Sequence, residues 1–291
     1  MRPAHAKANV AKTAHLTAWV RALGRLTAGE NAANGDHLAD RFLLPYQHGL
    51  NRVPNVARWL IERALPGAFG YFNARTQYFD AVLLQEADSG RLEQLVILGA
   101  GFDSRPFRFA AQLRDVRVFE VDMPQVLSIR TQRLINVQPP PMAPIAVPID
   151  FEHDDLGTAL SERGYASDAA TLFLWEGVTY YLPVPAVHAV LSIVATQSGP
   201  GSSILFDYVT QAFFEGDRSS YGAGRLADSW RRLGNVNRSG IGNVAAFIRP
   251  HELTLRSDVD AGDLEHRYLR SLPGRTAKAW GAMRIAHAAR A

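Results

Sequence analysis

Two glycines and an aspartate, spaced as in nucleoside-binding turns, are the residues of this chain best suited to chemistry. Gly99 and Gly101 follow an apolar run at residues 95–98, and Asp122 ends a second apolar run about 20 residues later. Glycine lacks a Cβ, so its backbone takes conformations closed to other residues and a ligand can approach it closely. A carboxylate at the end of the second strand can accept hydrogen bonds from both ribose hydroxyls. The spacing therefore predicts a nucleoside site.

Residues that are absent from this turn narrow the choice of nucleoside. A dinucleotide-binding turn carries a third glycine three residues after the second, where helix and strand pack closely beneath a pyrophosphate. Ser104 occupies that position, which disfavours a nicotinamide-linked dehydrogenase, and no Lys-Ser or Lys-Thr pair follows, which excludes a P-loop. A glycine turn with an acidic second strand and no pyrophosphate signature suits S-adenosylmethionine, whose charged end is a small amino acid.

Apolar runs that alternate with helical segments must position this turn. The runs predict strands at residues 95–98, 116–121, 145–149, 171–175 and 203–209, with the clearest helical spacing at residues 154–163 and 184–196. Such alternation gives a doubly wound, Rossmann-like α/β sheet that binds ligands at the carboxyl ends of its strands. Several predicted strands end at a glycine or an acid, namely Gly99, Asp122, Asp150 and Glu176.

Helical segments precede the predicted sheet, and an irregular segment interrupts it. Residues 1–88 contain helical spacing, for example at residues 37–44, and no clear strand. We therefore expect an N-terminal helical cap followed by a core domain at residues 89–291. Residues 211–243 are rich in Gly, Ser and Arg and too long for a plain loop, so we expect a lid there, after the fifth strand. A last strand is predicted at residues 283–286.

Composition is that of an ordinary globular enzyme. The 291 residues are 47% hydrophobic and 20% charged, and 31 Lys and Arg against 28 Asp and Glu give a formal charge of +3. The small net charge does not indicate nucleic acid as a partner, and no window is apolar enough to span a membrane. Without cysteine there is no disulfide, thiolate zinc site or Cys nucleophile. We expect a cytoplasmic protein that acts on a small molecule.

Seven short motifs in order resemble the leucine carboxyl methyltransferase-like family of class I S-adenosylmethionine-dependent methyltransferases, including its bacterial O-methyltransferases of polyketide and other secondary metabolism. The motifs are KTA at 12–14, ARTQYFD at 74–80, LGAGFDSRPFR at 98–108, FEVDMP at 119–124, VPIDF at 147–151, LFLWEGVTYYL at 172–182 and FDYV at 206–209. The resemblance implies S-adenosyl-L-methionine as cofactor and no metal.

The resemblance also implies a role for each residue at the methionine end of that cofactor. Arg75 would bind the methionine carboxylate through two guanidinium N–H groups, with Lys12 or Arg21 as a second cation. Glu176 would face the methionine ammonium. Burial favours this role independently, because an unpaired carboxylate at the end of a buried strand is costly and a cationic ligand would compensate it.

The nucleoside end would be held at the ends of the first three strands. Gly99 and Gly101 would lie beneath the methionine portion, Asp122 would bind the ribose, and Asp150 and Phe151 would flank the adenine. Asp122 and Asp150 could instead cap the helices that follow them. The acids and histidine at residues 152–155 invite a metal site, but acids in the first turn of a helix are favoured by its dipole alone.

The acceptor group determines which further residues are needed. Methyl transfer needs acceptor oxygen, methyl and sulfur nearly collinear, and a carboxylate is already ionised at neutral pH, whereas a phenol benefits from a base. Since no base is obvious near the strand ends, a carboxylate or acidic hydroxyl is favoured. Tyr181 and Tyr208 are candidates for the acceptor pocket, although such tyrosines are more often core or rim residues, and Arg218 or Arg225 could bind the acceptor. A protein C-terminal carboxylate, or nucleoside binding without turnover, remain open.

Overall fold

Two compact units make up the chain in a computed structural model, which describes residues 3–27, 35–232, 238–269 and 277–290, with side chains from residue 13 onward. The helical unit comprises Met1–Asp80, Glu215–Val236 and Val259–Met283. The sheet unit comprises Ala81–Phe214, Asn237–Asp258 and Arg284–Ala291. This division differs from the predicted one, which had a cap at residues 1–88 and a core at residues 89–291. The difference arises because Glu215–Val236 and Val259–Met283 group with the N-terminal helices.

Seven strands form one sheet. They are β1 (Gln94–Leu98), β2 (Arg117–Asp122), β3 (Ile145–Pro148), β4 (Thr171–Trp175), β5 (Ser203–Val209), β6 (Leu253–Val259) and β7 (Met283–Arg290). Their order is β3-β2-β1-β4-β5-β7-β6, and the first five pair in parallel. The Arg290 N–H donates to the Ser202 carbonyl at 2.9 Å, which places the end of β7 beside the start of β5, as in an antiparallel pair.

Helices follow the strands in alternation and dominate the other unit. They are α1 (Pro3–Thr27), α2 (Pro45–Leu50), α3 (Pro54–Ala64), α4 (Ala68–Asp88), α5 (Arg105–Arg108), α6 (Pro124–Leu134), α7 (Leu156–Glu162), α8 (Val184–Thr196), α9 (Gln211–Phe214), α10 (Ala223–Arg232), α11 (Val244–Ile248) and α12 (Ala261–Leu264). One-turn 3₁₀ helices lie at Ala39–Phe42, Thr179–Tyr181 and Arg249–His251. The predicted doubly wound α/β class is confirmed. None of the helices in the described ranges is long and apolar enough to cross a membrane.

The central strands are buried on both faces, which explains their continuous apolar sequence. All residues of β1, β4 and β5 are buried, and helices cover both sides of a parallel sheet. Phe119, Phe173, Trp175 and Phe206 are fully buried there and share one hydrophobic cluster with α8. This packing fixes the strand ends, and therefore the residues that follow them.

One local expectation is wrong, and another stays untested. Helical spacing at residues 37–44 gives only the 3₁₀ turn Ala39–Phe42, because the backbone becomes extended at Leu43 before Pro45 begins α2. Residues 211–243 divide between the two units, and Ile241 is tied back to the sheet by its N–H bond to the Val209 carbonyl at 3.0 Å. Residues 233–237 lie outside the described residues, and the lid stays a prediction.

Truncating a central strand residue should test this core. Phe173→Ala removes a fully buried ring from β4, so we expect the free energy of unfolding in urea to fall by about 3–5 kcal/mol. Ile135→Ala removes a side chain that is 76% exposed and should change the free energy of unfolding by less than about 0.5 kcal/mol. Equal losses in the two variants would contradict the assignment of Phe173 to the core.

Candidate active site

The carboxyl edge of the sheet carries the candidate site. β1 pairs with β2 on one side and with β4 on the other, so the strand order reverses at β1. Open α/β sheets bind ligands in the crevice at such a point, outside the carboxyl ends of the strands. The segments that follow β1, β2 and β4 bring together the glycine turn, Asp122 and Glu176.

The two glycines of the turn are required for different reasons. Gly99 has φ +68° and Gly101 has φ +48°, in the left-handed region that favours glycine. A Cβ on Gly99 would lie 2.3 Å from Val178 Cγ2, so packing excludes a side chain there. A Cβ on Gly101 would meet nothing nearer than the Gly99 carbonyl oxygen at 3.7 Å. Packing alone therefore does not require glycine at position 101, whereas its positive φ does.

Asp122 holds the turn through both of its carboxylate oxygens. Oδ2 accepts from the Gly101 N–H at 2.7 Å, and Oδ1 accepts from the Met123 N–H at 2.7 Å. It does not cap α6, which begins after Met123 without a side-chain cap. Burial raises the pKa of Asp122 to about 6, against the opposing effect of these hydrogen bonds and of Arg130. Each oxygen keeps a lone pair with which to accept from a ligand hydroxyl.

Glu176 is already partnered, which corrects the electrostatic argument made for it. Arg105 Nη1 lies 2.8 Å from Glu176 Oε2 and 2.5 Å from Asp103 Oδ2, and the Arg105 side chain is only 3% exposed. The premise of an unpaired carboxylate that needs a cationic ligand was therefore wrong. Glu176 can still accept from an ammonium, because one carboxylate has several acceptor positions.

A second buried arginine lies under the same turn. Arg130 on α6 donates from Nη2 to the Asp103 carbonyl at 2.5 Å and forms an ion pair with Glu120 of β2. Burial raises the pKa of Glu120 to about 7, an effect that Arg130 opposes. Sequence reasoning missed both arginines, since their partners are acids in other segments; the only signal was their place beside apolar runs.

Asp150 and Phe151 follow β3, next to Asp122. The Ile149 N–H donates to the Asp122 carbonyl at 3.0 Å, which fixes this proximity. Asp150 Oδ1 accepts from the Glu152 N–H at 3.1 Å, while the Phe151 ring packs 6.4 Å from the Trp175 ring. The pair remains a prediction for adenine.

The acids after Asp150 have local structural partners. Asp155, rather than Asp150, caps α7 by accepting from the Thr158 N–H at 2.7 Å. Glu152 forms an ion pair with Arg238 at 2.5 Å. No group of three or more potential ligands for a metal ion occurs among the residues that the structure describes.

Tyr181 and Tyr208 have different surroundings. Tyr181 is half-buried in the 3₁₀ turn after β4 and packs against Tyr180, with ring centroids 4.6 Å apart. Tyr208 is buried, and its hydroxyl donates to Asp258 Oδ1 at 2.9 Å. Burial first, then Asp258, raises the pKa of Tyr208, so it cannot supply a base at neutral pH. A place in the acceptor pocket stays a prediction for both tyrosines.

Residues 14–195 match the family described as leucine carboxyl methyltransferase. The chain belongs to that family. The match includes the glycine turn, Asp122 and Glu176, and it confirms the resemblance carried by the sequence motifs.

Relatives of this leucine carboxyl methyltransferase-family chain agree with the match. A protein of Mycobacterium tuberculosis strain H37Rv is 38% identical over 152 residues, which are 52% of this chain and 48% of the relative. One from Mycobacterium avium strain 104 is 34% identical over 166 residues, 56% of this chain and 52% of the relative. Both are named as candidate S-adenosyl-L-methionine-dependent methyltransferases. The chain spans about half the length of these relatives.

Among solved structures, a DUF574 family protein from Streptomyces avermitilis has a similar fold. The TM-score is 0.61 at 14% identity, and the alignment covers 94% of this chain and 97% of that one. At this identity the likeness supports the fold alone.

Three residues that the family resemblance assigns to the methionine carboxylate belong to the helical unit. Arg75 is 3% exposed rather than solvated, and its guanidinium lies 5.3 Å from the Tyr71 ring centroid and 5.1 Å from that of Phe72. Arg21 Nε donates to Asp36 Oδ2 at 2.8 Å, and the side chain of Lys12 lies outside the described residues. The role of all three in carboxylate binding stays a prediction.

The arginines suggested for the acceptor also belong to the helical unit. Arg218 is exposed and donates from Nη1 to the Asp217 carbonyl at 2.7 Å. Arg225 is exposed on α10. Acceptor binding by either arginine likewise stays a prediction.

The contact between Gly99 and Val178 yields a test with an internal control. Gly99→Ala places an alanine in the left-handed region, where its Cβ also clashes with Val178. Gly90→Ala places an alanine in the same region, at φ +69°, where its Cβ would have no atom within 4 Å. We expect Gly99→Ala to lower the free energy of unfolding by about 1–3 kcal/mol more than Gly90→Ala, the scale of overpacking. Val178→Ala in the Gly99→Ala background should recover much of that difference, and no recovery would show that the contact is unimportant.

Proposed function

We propose that this protein is an S-adenosylmethionine-dependent methyltransferase that transfers the methyl group to an oxygen. The observation that carries the proposal is the buried Asp122 carboxylate bonded to the Gly101 N–H at 2.7 Å, where the strand order reverses. Family membership and the names of the relatives support the same class.

Residues around the turn fit this cofactor. Glycine at position 101 allows a ligand to approach the backbone closely, and the carboxylate oxygens of Asp122 suit the two ribose hydroxyls. Glu176 would complement the ammonium of the methionine end, and the family resemblance assigns the carboxylate of that end to Arg75 of the helical unit. When bound, S-adenosylmethionine would supply a methyl group on a positively charged sulfur, and these residues would orient it.

The acceptor is most consistent with a carboxylate or an acidic hydroxyl. A carboxylate is ionised at neutral pH and needs no general base. The raised pKa of Tyr208 removes it as a base, and Asp122 and Glu176 are engaged in holding the turn and its surroundings. Tyr181, which follows β4 at this edge, would then shape the acceptor pocket rather than accept a proton.

The acceptor is proposed to be a small molecule of polyketide-type secondary metabolism. Arg218 or Arg225, in the segment after β5, would bind an acidic acceptor. A protein C-terminal carboxylate is the second candidate, favoured by the family description itself. A homologue that binds the nucleoside without turnover is the third.

Transfer of labelled methyl groups should decide among these candidates. The protein is incubated with methyl-tritiated S-adenosylmethionine and either a small-molecule fraction of cell extract or peptides with free carboxyl termini. We expect label in a small molecule that mass spectrometry identifies as an ester or ether, and Asp122→Ala should weaken cofactor binding by about 1–3 kcal/mol. Label in peptides would select the second candidate, and cofactor binding with no transfer the third.

Cofactor affinity should depend on pH through Asp122. Its pKa of about 6 means that the free protein holds a proton there at acidic pH, and ribose hydroxyls donate to the ionised form. As the pH is raised toward 6, the affinity for the cofactor should therefore increase by up to about tenfold per pH unit, and it should become constant near pH 7.5. Calorimetry over this pH range measures the affinity, and in Asp122→Asn we expect no increase of affinity with pH. A rise that persists in Asp122→Asn would assign the proton to another group, such as Glu120.

A further inference from the structure

Arg105 and Arg130, together called the arginine pair, are buried charged groups to which the proposed function assigns no role. They are 2% and 3% exposed, and both contact Asp103, which follows the glycine turn. Buried cations are retained only where anionic partners compensate the loss of hydration. The position of the arginine pair under a ligand-binding turn therefore calls for an explanation.

Arg105 connects two segments of the site. Its backbone N–H donates to Asp103 Oδ1 at 2.8 Å and its Nη1 to Asp103 Oδ2 at 2.5 Å, so both carboxylate oxygens face the same arginine. The same Nη1 lies 2.8 Å from Glu176 Oε2, at the end of β4. A guanidinium is rigid and planar, so it fixes the positions of its partners as well as their charge.

Arg130 holds Asp103 from another direction. It donates to the Asp103 carbonyl and pairs with Glu120, which lies two residues before Asp122 on β2. Asp103 is therefore fixed at its side chain by Arg105 and at its backbone by Arg130. Because Asp103 is fixed, the contact from Arg105 to Glu176 sets where the Glu176 carboxylate lies relative to the turn.

We propose that Arg105 is a positioning residue that holds the Glu176 carboxylate in place for the ammonium of the methionine end, an inference that rests on the proposed cofactor. Arg105 does not itself touch that group. A charge-assisted contact in a buried site loses strength quickly when an acceptor moves, so misplacing Glu176 weakens recognition of the amino acid and leaves recognition of the nucleoside intact.

Two ligands separate these effects. S-adenosylmethionine carries the amino acid, and 5′-methylthioadenosine has the same nucleoside without it. By calorimetry, Arg105→Met should lower the affinity for S-adenosylmethionine by about tenfold or more, which is the scale of a hydrogen bond to a charged group. The affinity for 5′-methylthioadenosine should fall by less than about twofold. Arg105→Lys should fall between, because an ammonium cannot hold both carboxylates in the planar geometry.

Matched variants complete the experiment. Arg117→Met alters an arginine at the amino edge of the same sheet, whose guanidinium lies 5.5 Å from the Phe119 ring centroid, and should change neither affinity. Glu176→Gln should lower the affinity for S-adenosylmethionine and leave that for 5′-methylthioadenosine unchanged. The double variant Arg105→Met, Glu176→Gln should bind S-adenosylmethionine only slightly more weakly than Arg105→Met, because the two residues act as a unit. Circular dichroism and thermal unfolding identify variants that fail to fold; Arg105→Lys then carries the comparison.

The outcomes distinguish the inference from the function on which it rests. Equal weakening of both ligands by Arg105 variants, or independent losses from Arg105 and Glu176, would reduce Arg105 to a support of the turn and overturn the proposal. If the unaltered protein bound neither ligand, the proposed cofactor itself would be wrong, and this role would fall with it. If it bound both and Arg105 variants bound both normally, only the positioning role would be wrong.

Discussion

The hydrogen bond from the Gly101 N–H to Asp122 Oδ2 is the constraint on which the candidate site depends. It joins the turn after β1 to the end of β2, and its partner bond from Met123 fixes the second oxygen of the same carboxylate. A carboxylate so deeply buried is stable as an anion only with such donors. The same contact therefore sets the shape of the turn, the position of the acceptor oxygens and the pH at which they become ionised.

Much of the fold could be predicted because buried parallel strands leave a clear sequence signal. β1, β4 and β5 are buried throughout and appear as unbroken apolar runs, so their bounds at residues 95–98, 171–175 and 203–209 were predicted to within a residue. β6 lies at an outer edge of the sheet and is buried only at its end residues, Leu253 and Val259, so its sequence signal is weaker. Residues 37–44 show the limit of periodicity, since helical spacing there yields one 3₁₀ turn.

The candidate site could be predicted at its glycines and acids but not at its ion pairs. Gly99, Gly101 and Asp122 are identified by local spacing, which a sequence displays directly. The contact between Arg105 and Glu176 joins a residue after β1 to a residue after β4. The contact between Tyr208 and Asp258 joins residues 50 positions apart in the sequence. No local pattern encodes such pairs, so a carboxylate that seemed to need a ligand already had a guanidinium beside it.

The segment after β4 links the turn to the proposed acceptor side. Within it, Val178 packs on Gly99 while Gly177 donates to Asp207 Oδ1 at 2.6 Å, so apolar contact and hydrogen bonding fix the same few residues. The chain then enters the 3₁₀ turn that carries Tyr181, and the Tyr180 carbonyl accepts from the Arg238 N–H at 2.8 Å. This short segment therefore contacts the glycine turn at one end and residues after β5 at the other. Under the proposed function, this segment would connect the cofactor side to the acceptor side, and an in-line transfer requires the two bound groups to be held in a fixed relation.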